Sequence, residues 1–402
     1  MGKPLMRIPY TDLLPPAVTI PHSASSVSGA LAALHHFFRA PPPAGLPSPT
    51  VVLSGAGLSV ASGLADYRGT KGTYRVNKTY RPIYYHEFLA SHEARKRYWA
   101  RSFLGWNSLH KAQPNAGHHA VRDLGRLGLV SSVITQNVDS FHSRAHPEIP
   151  TLELHGYLRS TACTSCHNEF PRDTFQAELA RLNPVWTTFL RDALASGALD
   201  TEDPTEKRAR GIRMNPDGDV DVPGAPYSTF RYPACPTCLT SPPRLADGTK
   251  AVVEVDHEGA LSPASNAGIL KPAVVMFGES ISKTVKDAAE EAIDGAGRLL
   301  VLATSLATYS AWRLAKRAKD RGMPIAIVNI GGVRGESAFF ADLDPQQSGA
   351  RGVRVEMSTE SLLPTLVEEL RRSSGSRGVD AQPAAVRPIR HDDAVVFKDM
   401  LS

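Results

Sequence analysis

An apolar, β-branched run, Val51-Val52-Leu53, ends abruptly in Ser54-Gly55-Ala56-Gly57. The run predicts a buried strand. The glycines predict a tight turn whose backbone N–H groups can approach an anionic ligand closely. The third glycine of G-x-G-x-x-G is missing, since position 60 is Val60 and the next glycine is Gly63. A dehydrogenase would need that full pattern and an acidic ribose ligand about 20 residues on. Ser59, Ser62 and Gly63 lead instead into Asp66-Tyr67-Arg68-Gly69, a carboxylate and a guanidinium on a glycine-bounded loop. Such a loop is either a solvated ion pair or a flap that folds over a cofactor and offers charge to its reactive end.

Further strands end in ligand-type residues. Leu129–Ile134 delivers Thr135-Gln136-Asn137-Val138-Asp139, and Leu299–Tyr309 contains Ala303-Thr304-Ser305. Pro324–Asn329, the last clear strand, leads into Ile330-Gly331, and Ile269–Glu279 reads as a strand ending in Phe277-Gly278-Glu279. Helical patterns alternate with them at Ser26–Arg39, His118–Leu127, Val285–Ala296 and Met357–Leu370. This alternation predicts α/β architecture with a parallel sheet, whose ligands sit at the carboxyl ends of strands. Amide side chains there suit a neutral carboxamide or sugar hydroxyls.

The chain has four cysteines, paired as Cys163-Thr164-Ser165-Cys166 and Cys235-Pro236-Thr237-Cys238. Two C-x-x-C knuckles predict a closed Cys₄ tetrahedron around one structural Zn²⁺, with no open position for catalysis. The stretch between them holds a helical piece, Phe175–Leu194, a charged run and the turn-rich Asn215–Gly224. With 402 residues and 42% hydrophobic content, the chain can bury a large domain plus a module. A formal charge of +5 without basic–aromatic runs argues against a dedicated nucleic-acid binder. No apolar run approaches the roughly 20 residues of a spanning helix. Residues 1–49 read as an N-terminal extension and linker, and 371–402 as a disordered tail.

GAGLSVASGLADYRG and TQNVDSFH resemble the first and second signatures of the sirtuins, NAD-dependent protein-lysine deacylases. Ala65 replaces the usual proline before Asp66, and Ala303 stands where glycine is usual. The aromatic and arginine-rich block RPI…RYWARSFLGW, within residues 81–106, and NPDGDV resemble the class II branch, which has mitochondrial members. The resemblance covers roughly residues 50–370, with the zinc module at about 157–268. It implies a Rossmann-like sheet with helices on both faces, carrying a small zinc-ribbon module.

It also implies the chemistry. An acyl-lysine protein and NAD are the expected partners, with O-acyl-ADP-ribose, nicotinamide and free lysine as products. His155, followed by Gly156, matches the family's base, and histidine's ordinary pKa of about 6.5 suits that role. His118 and His142 read as structural. Asn137 and Asp139 are expected to hold carboxamide and ribose, beside Gln136 and Val138. Gly55, Ala56, Gly57, Ser59, Asp66, Tyr67 and Arg68 would form the cofactor loop. Ala303, Thr304, Ser305, Asn329, Ile330 and Gly331 would bind the phosphate and adenosine side. Val275, Phe277, Gly278 and Glu279 would pair with the substrate peptide. A mono-ADP-ribosyltransferase or a non-catalytic NAD-sensing scaffold would use the same loop. The class II likeness points to the mitochondrial matrix. Lys3, Arg7 and Asp12 make a weak presequence, and a cytoplasmic or nuclear location is the alternative.

Overall fold

The computed structural model describes residues 6–375 apart from 11, 78–79, 197–212, 216–218 and 223. In chain order the strands are β1 (Thr50–Ser54), β2 (Val130–Thr135), β3 (Thr151–Glu153), β4 (Gly156–Cys163), β5 (Glu169–Pro171) and β6 (Arg213–Met214). They continue with β7 (Val220–Asp221), β8 (Leu270–Val274), β9 (Arg298–Leu302), β10 (Ile325–Val328) and β11 (Gly352–Val355). The described residues fall into a larger unit, from the segments 6–77, 113–154 and 284–375, and a smaller one, from 80–112 and 155–283.

The larger unit is built on a six-stranded sheet in the order β11-β10-β9-β1-β2-β3, with every pairing parallel. Counted along its own six strands, this is the 3-2-1-4-5-6 order, which reverses between β1 and β9. Side chains alternate across a strand. Val52, Leu300, Val328 and Val355 therefore enter one apolar cluster with Leu34, Phe37, Val121 and Leu363 from helices. Val51, Leu53, Val301 and Ile327, on the opposite face, are equally buried. A parallel sheet is expected to be covered on both faces, and this one is.

Within residues 1–49, a helix lies where one is expected, at Ser26–Arg39. Helix Val27–Arg39 buries Leu31, Leu34, Phe37 and Phe38 in the sheet's own core. Its start is fixed by Ser26, whose hydroxyl accepts from Gly29 N at 3.1 Å, a cap worth about 1 kcal/mol. Strand β9 stops at Leu302 because Ala303 and Leu306 adopt left-handed φ values of 51° and 50°, which no strand accommodates. Strand β11 follows the last strand foreseen from sequence. The closing helix runs Thr359–Gly375, past the expected boundary at 370. Residues 376–402, the rest of the expected tail, lie outside the described residues, as does most of the charged run after Phe175–Leu194.

In the smaller unit, β5-β4-β8 form an antiparallel sheet and β6 pairs antiparallel with β7. This unit is larger than the expected module at 157–268, because helix His92–Lys111 belongs to it. Trp99 explains why: its ring lies 4.4 Å from that of Phe175, and its Nε1 donates to Leu270 O at 3.2 Å. The expected helix Phe175–Leu194 is two helices, Arg172–Leu182 and Pro184–Ala195, divided at Asn183 with Pro184 opening the second. Among the described residues, no helix is long and apolar enough to cross a membrane.

Candidate active site

The reversal of strand order leaves a crevice at the carboxyl ends of β1 and β9, the place where open α/β sheets bind ligands. Two loops meet there more closely than side chains would permit. A Cβ on Gly55 would lie 2.6 Å from Thr304 Cβ, and one on Gly57 would lie 2.9 Å from Ala303 O. Backbone therefore lines this cradle. Ala303 in the left-handed region carries a strain of about 1–2 kcal/mol that glycine would avoid. Its methyl is accommodated because Gly57, opposite, has none: a Cβ there would stand 3.1 Å from it.

Hydrogen bonds tie the strand ends together. Gln136 Nε2 donates to Ser54 O at 3.1 Å and to Thr304 Oγ1 at 2.9 Å, linking β1, β2 and the β9 loop. Asn137 Nδ2 donates to Gly55 O and to Ser59 Oγ, both at 3.2 Å. Ser59 in turn donates to Asp139 Oδ2 at 2.7 Å, while Asp139 Oδ1 accepts from Phe141 N at 2.9 Å. Burial raises the Asp139 carboxyl above its ordinary range, and these two donors oppose that shift. Asn137, Ser59 and Asp139 are thus one connected set. Val138 between them is half-buried.

Asp66 and Arg68 have separate partners. Asp66 Oδ2 accepts from Gly69 N at 2.8 Å, and burial raises its pKa. Arg68 donates to the backbone carbonyls of Ile8, Pro9 and Asp12 at 2.6, 2.8 and 3.1 Å. Tyr67 packs near Tyr74, with ring centroids 5.3 Å apart. On the β10 side, the Asn329 amide donates to Ile330 O and Gly331 O at 3.1 and 3.0 Å, and Ile330 is exposed. Ser305 O accepts from Arg334 N at 2.9 Å.

Sequence reasoning missed Arg354. This fully buried residue of β11 donates to Asn329 O at 2.8 Å and Gly331 O at 2.6 Å, and pairs with Glu336 at 2.8 Å. It holds the loop expected to meet adenosine. The signal was an arginine inside Gly352-Val353-Arg354-Val355, which also disguised the strand.

Beneath the cradle lie His118, His142 and His146, all buried. Ser54 Oγ contacts His142 Nε2 at 2.8 Å, and His142 Nδ1 contacts His146 Nε2 at 2.8 Å. Burial pushes His118 down to about 3, His146 to about 4 and His142 well below its ordinary value. All three are neutral packing elements at working pH, in line with the structural reading of His118 and His142.

In the smaller unit, His155 is half-buried and its carbonyl accepts from Val275 N at 2.8 Å. Gly156 after it has φ +74°, and a Cβ there would stand 2.2 Å from Ala273 O. Glycine is needed at 156 because β4 starts hard against β8. Phe277 O accepts from Tyr85 N at 2.9 Å, and Gly278 is exposed. Glu279 has a structural side-chain role. Its carboxylate turns inward, its side chain only 2% exposed, 3.3 Å from Lys271 Nζ and accepting from Met276 N at 2.8 Å. Burial pushes the lysine pKa down and the glutamate pKa up, while their mutual attraction opposes both shifts. The side chain of Glu279 therefore braces the turn.

The four cysteines converge, with their sulfurs all within 4.8 Å of one another. Cys163–Cys238 and Cys166–Cys235 are each 3.6 Å apart, and none forms a disulfide. Sulfurs bound at about 2.3 Å around a tetrahedral zinc stand about 3.8 Å apart, so the cluster fits that ion.

The sequence profile of the Sir2 family matches residues 55–310, which include the cradle, His155 and all four cysteines. The NAD-dependent protein deacylase SIR4 of Batrachochytrium dendrobatidis is 41% identical over 291 residues, covering 71% of this chain and 82% of the relative. The NAD-dependent protein deacylase SRT2 of Arabidopsis thaliana is 36% identical over 75% of this chain and 69% of its own. NAD-dependent protein deacylase Sirt4 of Drosophila melanogaster is 32% identical over 79% and 84%. Among solved structures, a Sir2 homologue–NAD complex superimposes with a TM-score of 0.50 at 23% identity, covering 88% of this chain and 98% of the other. With profile, relatives and sheet order in agreement, the chain belongs to the Sir2 family.

Proposed function

We propose that this protein is an NAD-dependent protein-lysine deacylase. The observation that carries the reading is the backbone cradle of Gly55, Gly57, Ala303 and Thr304 beside the linked Asn137, Ser59 and Asp139. When bound, NAD would supply a ribose carbon whose bond to nicotinamide breaks as the acyl oxygen attacks, so that, with one water consumed, the acyl group leaves on ADP-ribose and the lysine amine is freed. The chain's residues bind and orient. Gly55 and Gly57, whose N–H groups bond Leu302 O and Ala303 O, keep the cradle free of side chains, while the Ala56 backbone and the Thr304 and Ser305 hydroxyls meet phosphate. Asn329 to Gly331, held by Arg354, meet the adenosine side. Asn137 orients the carboxamide and Asp139 the ribose. His155, as general base, accepts the ribose hydroxyl proton at an imidazole nitrogen. Val275, Phe277 and Gly278 offer backbone to the peptide. The cysteines hold zinc as a structural brace.

The acyl group is inferred to be neutral. Acid-selective deacylases of this family are expected to present a tyrosine and an arginine together to the acyl carboxylate. Here exposed Arg81 pairs with half-buried Glu87 at 2.6 Å, and Tyr74 packs against Tyr10 and Tyr67. Lysine peptides carrying acetyl, lipoyl, long acyl, succinyl or glutaryl groups, with nicotinamide release as readout, test both claims. Neutral chains should be turned over in preference. Efficient desuccinylation that disappears in Arg81→Ala would overturn the acyl assignment. The class II block supports a mitochondrial matrix location, which a C-terminally tagged chain found outside mitochondria would refute.

A further inference from the structure

Residues 6–20 run across the larger unit in a way that neither the motifs nor the expected linker role accounts for. At one end Met6–Ile8 pairs in antiparallel fashion with the loop after β9: Ile8 N donates to Ala307 O at 2.8 Å and Tyr309 N to Met6 O at 2.6 Å. At the far end Ile20 exchanges hydrogen bonds with Arg354, N to O at 3.0 and 2.7 Å, on the edge strand β11. In between, the chain touches the loop after β10, where a Cβ on Gly332 would lie 1.9 Å from Pro15 O. It also grips the cofactor loop. Arg68 is bound by the three carbonyls already named, and Tyr10 packs on Tyr74 with ring centroids 4.3 Å apart.

We propose that residues 6–15 are a positioning strap that holds the cofactor loop, through Arg68 and Tyr74, in its NAD-binding arrangement. The inference rests on the deacylase reading and deepens it. A surface loop of this length is drawn from the low-stability end of a structure and would otherwise sample open forms. An affinity measured on a partly competent population falls in proportion to the competent fraction. The strap connects the cofactor loop with the loops after β9 and β10. Loosening it at Tyr10 or Gly332 should therefore weaken NAD binding with the cradle residues left as they are. Arg68 is the clasp: three carbonyl acceptors fix its fork in the plane that a lysine could not satisfy.

The test uses the full chain and two variants that release the strap by different routes. Tyr10→Ala removes the aromatic contact, and Gly332→Ala drives a methyl into Pro15 O. Each should weaken NAD binding by about 5–20-fold in calorimetry and raise amide hydrogen exchange over residues 64–77, with zinc content unchanged. Combining Tyr10→Ala with Arg68→Gln should give less than the product of the single effects, since both break one clasp. Unchanged NAD affinity and unchanged exchange in both folded variants would overturn the strap. So would fully multiplicative effects in the double variant. If the unaltered chain bound no NAD, the deacylase reading would fail separately, and the strap would then be judged on the exchange data alone.

Discussion

Stripping the metal with a chelator, or replacing Cys163 with serine, is expected to unfold the smaller unit. Four sulfurs within 4.8 Å of one another form a site able to hold a metal ion. A structural zinc contributes on the order of 10–16 kcal/mol at neutral pH, comparable to or above the roughly 5–15 kcal/mol that separates most folded domains from unfolded chains. The four ligands also join segments distant in the chain: the end of β4 and its turn, and the short helix Pro236–Thr240, for which Cys235 is the N-cap. Amide protection across residues 155–283 should collapse on chelation, and stoichiometric zinc should be found before it. Well-folded protein containing no zinc would refute the brace.

His155→Tyr should lower deacylation by roughly 10²–10⁴-fold, the usual range for a lost general base. NAD affinity should change little, because the cradle, the Asn137 set and the Asn329 loop all belong to the larger unit while His155 does not. Asn137→Ala should instead slow the cleavage that releases nicotinamide. Deacylation, nicotinamide exchange and NAD affinity measured on both variants separate these roles. Retained deacylation in His155→Tyr would remove the histidine from the chemistry. Lost NAD binding there would make it a residue that shapes the pocket.

Much of this was legible from residue order because it depends on local chemistry. A strand ending in Gly-x-Gly, an amide at the end of β2 and two C-x-x-C knuckles each declare themselves within a few positions. The features that were not legible depend on distant partners. Arg354 reads as a surface charge until its acceptors Asn329 O and Gly331 O are known. The inward turn of the Glu279 side chain is not legible until Lys271 is found beside it. Strand lengths were overestimated where left-handed residues stop the ladder, as Ala303 does, because an alanine gives no warning of positive φ. The N-terminal stretch, rich in proline and poor in charge, looked like a linker. Its hydrogen bonds come from backbone carbonyls, which any sequence possesses.

The most direct measurement is a product balance on the unaltered protein with NAD and an acetyl-lysine peptide, followed by mass spectrometry. The account predicts nicotinamide, free-lysine peptide and O-acetyl-ADP-ribose in equal amounts, with no reaction when NAD is withheld. Free acetate formed without NAD consumption, or ADP-ribose recovered on the peptide or the protein in place of O-acetyl-ADP-ribose, would contradict it.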